Sequence, residues 1–296
     1  MSLSGKTTQN STVNIHAARV FYDGLFAAPK RLAHPEGVAV AADGAVWCGT
    51  ENGELMRIAT DGSAMVCMGE TDGFILGIAF DSFGHLYACD FMKACIWRRN
   101  TDTGEITVFA TGPRIPNFPV VDEKRNCLYV SDSGAFGEIG PGIWHFDLAT
   151  GAGALWCDHA FNFANGMALH PNGNSLAVVE TFGASVATVE INEDGSAGIV
   201  SQLVSGIERL PDGLAYDNDG NLFISCYEPS RIYRFDTSGW LSLYLDDPTA
   251  HLMCHPTNIA FRGSTLFTAN LGRWHITAIE TDTIGLPLPV HLSIKT

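Results

Sequence analysis

Pro211-Asp-Gly-Leu-Ala-Tyr-Asp-Asn-Asp-Gly-Asn-Leu-Phe-Ile-Ser225 reads as two short apolar strands joined at Asp219-Gly220, a turn in which glycine tolerates positive φ. The same opening recurs as Pro35-Glu-Gly-Val-Ala-Val, Ile75-Leu-Gly-Ile-Ala-Phe, Pro116-Asn-Phe-Pro-Val-Val, Ala164-Asn-Gly-Met-Ala-Leu and Pro256-Thr-Asn-Ile-Ala-Phe. The second residues of the six copies are Glu36, Leu76, Asn117, Asn165, Asp212 and Thr257, spaced 40, 41, 48, 47 and 45 positions apart. A period near 45 built from strand segments is the signature of a propeller.

Each copy continues into a second strand such as Leu86-Tyr-Ala-Cys or Leu128-Tyr-Val-Ser, and then a third such as Gly142-Ile-Trp-His-Phe-Asp. Outer strands such as Thr107-Val-Phe-Ala complete four-stranded units, and no long helical period interrupts them. The expected fold is therefore all-β, a six-bladed β-propeller in a single domain over residues 17–296, preceded by a flexible lead-in at 1–16. One blade must join both chain ends. Its outer strand is either Arg19-Val-Phe-Tyr or Leu286-Pro-Leu-Pro-Val-His-Leu, whose prolines tolerate only an edge position. Trp47, Trp97, Trp144 and Tyr129 lie in strands and are expected to pack between blades, while His145 and His275 in third strands read as structural.

The chain carries 32 acidic and 17 basic residues, a net charge of −15, and no basic cluster larger than Arg98-Arg99. That field repels phosphate backbones and argues against nucleic acid, while it concentrates cations. No run of about 18 apolar residues predicts a membrane span. Met1 to Asn14 is polar, without the apolar core of a signal peptide, and the eight cysteines include no Cys-x-x-Cys pair. These features predict reduced thiols and a cytoplasmic protein without a zinc–thiolate site. No Gly-x-Ser-x-Gly elbow or phosphate-binding Gly-x-x-x-x-Gly-Lys loop occurs, which argues against serine-hydrolase and nucleotide chemistry.

In an up-and-down blade the innermost strands surround the central channel, so the second-residue slot forms a ring at one mouth. The ends of the second strands, Thr50, Asp90, Asp132, Glu180, Cys226 and Asn270, are expected on the same face. Asp, Asn and Gly before a strand are ordinary turn residues, but Glu36 is a poor turn former and risks burial without a partner. Crowded carboxylates repel unless a cation joins them. Glu36, Asn165 and Asp212 are best explained together as hard-oxygen ligands, favouring calcium, magnesium or manganese, with zinc admitted where water fills the open positions. His34 and His255 precede prolines at inner-strand entrances, either at the pocket rim or as plain loop histidines.

With these positions in hand, the chain over roughly 30–285 resembles the SMP-30/gluconolactonase/LRE family, which includes regucalcin-like lactonases. The resemblance rests on His34-Pro-Glu-Gly, Asn165-Gly-Met-Ala-Leu-His-Pro-Asn-Gly and Pro211-Asp-Gly-Leu-Ala-Tyr-Asp-Asn-Asp-Gly-Asn-Leu, in that order. It implies a six-bladed propeller with one divalent metal cation held by Glu36, Asn165 and Asp212, water or substrate completing the shell. It also implies substrate contacts from Asn117 and Arg114, and Asp132 resembles an acid near the site in some bacterial members. The family's Asn-Asp-Gly is replaced here by Asn117-Phe-Pro, which removes an acid and adds apolar surface.

The function this implies is metal-dependent hydrolysis of a small-molecule lactone, a sugar lactone such as an aldonolactone first, with Asp212 as general base and Asp132 in reserve. A non-sugar lactone or small ester is the alternative favoured by Phe118, Phe74 and Phe136. A third reading is a non-catalytic binding propeller with a structural cation.

Overall fold

A computed structural model describes residues 13–288. Six antiparallel sheets of four strands each, plus one turn of 3-10 helix at Ile15–Ala17, make up its regular structure. The sheets are the blades of a six-bladed propeller, and their innermost strands are Val38–Val40, Ile75–Phe80, Pro116–Asp122, Ala164–Leu169, Leu210–Tyr216 and Pro256–Arg262. Among the described residues no helix is long and apolar enough to cross a membrane.

The N-terminal segment closes the ring. Ala18–Asp23 pairs antiparallel with His275–Glu280 and forms the outer strand of blade six, from Ala18 opposite Ile279 to Asp23 opposite His275, with a one-residue bulge between Val20 and Tyr22. The competing segment takes another course: Gly285 bridges to Asp217, Leu286 packs against the core between blades four and five, and 289–292 lie outside the described residues. Most of the 1–16 lead-in also lies outside them. Of the remainder, the Val13 N–H donates to the Tyr244 carbonyl (2.9 Å) and the Asn14 side chain caps the 3-10 turn.

Alternating apolar residues on each sheet meet those of the next, giving a separate buried cluster at each of the blade interfaces. Phe223 of blade five, fully buried, meets Tyr244 edge-on at 4.9 Å and Phe261 of blade six at 5.2 Å. Burying one such ring contributes about 2 kcal/mol. Trp47, Trp97, Trp144 and Tyr129 belong to these inter-blade clusters, as expected. All eight cysteines are free thiols, and all but Cys67 are buried.

The inner strands share one irregularity. In blades two to six the register slips by one residue just after the strand begins: Pro116 faces Asp132 and Pro119 faces Val130, so Asn117 and Phe118 together oppose Ser131 alone. The same bulge recurs at Leu76-Gly77, Asn165-Gly166, Asp212-Gly213 and Thr257-Asn258. A bulge re-aims a side chain that strict alternation would place elsewhere. Here it lies at every slot residue of those blades. Close approach of neighbouring inner strands then demands small residues: a Cβ on Gly166 would stand 2.3 Å from the Asp212 carbonyl oxygen, and one on Gly213 2.6 Å from that of Thr257.

Candidate functional site

The bulges open onto a cavity of about 340 Å³ at one mouth of the channel, with Glu36, Leu76, Asn117, Asn165 and Asp212 among its lining residues. Five of the six slot positions therefore converge. The sixth, Thr257, donates its hydroxyl to the Glu36 carbonyl at 2.7 Å and serves the ring rather than the cavity.

Each polar floor residue is held from behind. Asn165 Nδ2 donates to Thr181 Oγ1 at 3.0 Å, and that hydroxyl donates onward to the Pro211 carbonyl at 2.9 Å. Asn117 Nδ2 donates to Ser133 Oγ at 3.0 Å, which donates to the Ala164 carbonyl at 2.6 Å. A hydroxyl that has given its proton to a carbonyl can only accept, so both amides are fixed with nitrogen towards the hydroxyl. The Oδ1 atoms of Asn117 and Asn165, and Oδ1 of Asp212, are buried without a hydrogen-bond partner. Asn258 grips Glu36 twice, Nδ2 donating to Oε2 and to the backbone oxygen, each at 3.0 Å.

None of the described residues lining the cavity is Lys, Arg or His, so two buried carboxyls face each other without a compensating charge. Burial, and then the charge of Asp212, raises the Glu36 carboxyl well above its ordinary value. Burial pushes Asp212 up to about 7, the neighbouring Asn165 side chain opposing part of the rise. Acceptors without donors and acids without bases are the environment a hard cation satisfies, and Glu36, Asn165 and Asp212, with Asn117 beside them, supply an all-oxygen set. Among the described residues no three His, Cys, Asp or Glu side chains gather; the converging set is two carboxylates and two amides.

The second ring does different work. Asp132 Oδ1 accepts the N–H groups of Ile115 (3.0 Å) and Gly134 (2.9 Å), and Oδ2 accepts the Arg114 N–H (2.9 Å) and Trp144 Nε1 (3.2 Å). Asp90 repeats the device in blade two with Phe74, Lys93, Thr71 and Trp97. Glu180 accepts from Asn162, and Asn270 from Cys254. These side chains tie the loop entering each inner strand to the end of the second strand. They are absent from the cavity wall.

Arg114 is also outside the cavity: its guanidinium, 62% exposed, pairs with Glu138 at 3.3 Å. Phe118 turns into the core between blades three and four, whereas Phe74 and Phe136 do line the cavity. His34 lies outside the lining, its Nδ1 donating to the Leu271 carbonyl at 2.7 Å, and His255 stacks behind Tyr227 at 4.6 Å. Asn258 was not anticipated. Its signal was present in the sequence, because the position holds glycine in four of the other copies.

Residues 143–270 match the family model described as an SMP-30/gluconolactonase/LRE-like region, which takes in Asn165 and Asp212. Residues 26–58, which include Glu36, match a strictosidine synthase-like N-terminal region. No curated protein sequence matches the chain significantly. Among solved structures, a gluconolactonase from Xanthomonas campestris superposes with a TM-score of 0.72 at 20% identity, covering 90% of this chain and 89% of that one. Regucalcin from Agrobacterium tumefaciens, a calcium-binding protein, gives 0.70 at 18%, covering 87% and 93%. A luciferin-regenerating enzyme gives 0.70 at 15%, covering 88% and 96%. At these identities the likeness shows a shared fold.

Proposed function

Taking as premise that the chain carries the SMP-30/gluconolactonase/LRE-like region its motifs resemble, we propose that it is a hydrolase that opens a lactone with the help of one divalent cation. The observation that carries this reading is the floor itself: three buried, unpartnered side-chain oxygens beside a second carboxylate, with no cationic side chain in the lining. Glu36, Asn165 and Asp212 would hold the cation. When bound, the cation supplies Lewis acidity towards the lactone carbonyl and counter-charge for the two carboxylates.

The remaining work falls to the chain's own atoms. Asp212 takes a proton from the attacking water as general base, through the carboxylate oxygen not engaged by the cation. The water oxygen bonds to the carbonyl carbon, the ring C–O bond breaks, and the proton passes to the departing ring oxygen. The product is a hydroxy acid. Asn117, its amide oriented by the N–H it gives to Ser133, presents its unpartnered Oδ1 as an acceptor and orients the attacking water. Asp132, which already accepts four N–H donors, has no part in the step.

The test is hydrolysis of a lactone panel followed by acid release, after chelation and with calcium, magnesium, manganese or zinc restored. Activity should vanish on chelation and return with a divalent ion. Asp212→Ala, assayed with the cation shown to be bound, should lose at least about 100-fold in kcat. Absence of turnover on every lactone by the cation-loaded protein would sink the proposal.

A further inference from the structure

Above the oxygen floor the cavity wall is a continuous arc of five phenylalanine rings. Centroids lie 6.2 Å apart for Phe74–Phe91, 6.3 Å for Phe91–Phe136, 5.2 Å for Phe136–Phe163 and 4.8 Å for Phe163–Phe182. The arc follows from the repeat. Phe74 and Phe163 immediately precede inner strands, Phe91 directly follows the second strand of blade two, and Phe182 lies two residues past that of blade four. Phe136 reaches the arc from the loop between the second and third strands of blade three. Ile115, Leu210 and Leu271 continue the wall, and beyond the slot residues only Thr181, whose hydroxyl is engaged by Asn165 and Pro211, and Tyr227 bring a polar side-chain atom to the lining.

Phe136 is 69% and Phe182 43% exposed, so two large rings stand in water at the entrance although their neighbours are packed. Apolar surface kept exposed at a cavity mouth marks a binding surface more often than a packing fault. The slot carboxylates and amides sit on the floor, where a lactone's own ester group would be engaged. Hydroxyls on the rest of a polyol substrate would lose water against phenyl rings and gain no partner. A pocket of this kind discriminates against one added hydroxyl by about 100-fold. At about 340 Å³ the cavity is at the small end of the roughly 300–1,000 Å³ typical of small-molecule sites, enough for a lactone bearing one ring or a short chain.

We propose that the substrate is an apolar lactone, carrying an aryl or alkyl group that packs on the Phe74–Phe182 arc, rather than an aldonolactone. The inference rests on the lactonase reading, and the test separates the two. With the cation-loaded protein, kcat/KM for dihydrocoumarin and δ-nonalactone should exceed that for glucono-δ-lactone by at least about tenfold. Phe136→Ala and Phe182→Ala, at exposed positions that leave the core intact, should reduce this ratio by raising KM for the apolar lactones several-fold. Equal or greater efficiency on glucono-δ-lactone overturns the inference. If no lactone is hydrolysed, the hydrolytic reading falls, and calorimetry with dihydroquinolinone, the lactam isostere of dihydrocoumarin, decides the rest. Saturable binding weakened by both substitutions upholds an apolar site, and no binding overturns it.

Discussion

Thr181 gives its proton to the Pro211 carbonyl at 2.9 Å, which leaves its oxygen only able to accept from Asn165 Nδ2. The carbonyl belongs to blade five and the amide to blade four, so the packing of two blades decides which end of Asn165 faces the cavity. Ser133 does the same for Asn117 across blades three and four. Thr181→Val keeps the shape and removes the acceptor, freeing the amide to turn. Cation affinity by calorimetry should fall about 10–100-fold with little change in the unfolding midpoint, and Thr181→Ser should restore it. Unchanged affinity in the valine variant would remove Thr181 from this role.

The raised acids Glu36 and Asp212 set a pH dependence whose sign is opposite to that of a salt-bridged acid. Between the ordinary carboxyl value near 4 and about 7 the folded protein holds more protons than the unfolded chain, so this contribution is favourable at low pH and lost as pH rises through that window. For Asp212 the loss is on the order of 4 kcal/mol. In chelator, urea unfolding should show Asp212→Asn gaining on the wild type between pH 5 and pH 8. A constant difference across that range would show that Asp212 ionises normally.

A cation that needs both acids ionised must displace the protons they hold. Its affinity should therefore climb from pH 5.5 to pH 8 as the pair gives up its protons. The binding heat should change with the ionisation enthalpy of the buffer, and identical heats in phosphate and Tris at pH 6.5 would contradict the raised values.

Asp132 and Asp212 should fail in opposite ways. Asp132→Ala strips the acceptor from three backbone N–H groups and the Trp144 indole, and should lower stability by about 3 kcal/mol in urea while the folded fraction keeps its cation affinity. Asp212→Ala should weaken cation binding, so that the variant loads only at excess cation, and leave the chelated protein no less stable at pH 8. Loss of cation binding in folded Asp132→Ala would return that acid to the site.

The blades were legible because a period near 45 and glycine-marked turns are written directly in the chain, and the slot was legible because Glu36 is a poor fit to a turn. The two rings of oxygens were not separable by sequence. Asp132 and Asp212 look alike until their surroundings are known, and three of the four donors to Asp132 are backbone groups without any sequence signature. Arg114 and Phe118 flank Asn117 closely, but the bulge turns Asn117 to the channel and leaves Phe118 in the core. Hydrogen bonds across blades, such as Asn258 to Glu36, depend on which strand ends meet when the ring is complete, and no local pattern encodes that.

Glu36 and Asn258 are separated by 222 positions in the chain and touch at the seam where the last blade meets the first. The seam is thus fastened at the outer rim by Ala18–Asp23 crossing into blade six, and at the inner rim by Thr257 and Asn258 bonding to Glu36. A cation held by Glu36, Asn165 and Asp212 would join blades one, four and five as the tongue of a buckle holds a belt. Parting at the seam would then require the buckle to be undone first, so occupancy would set how long the hoop survives before it springs open.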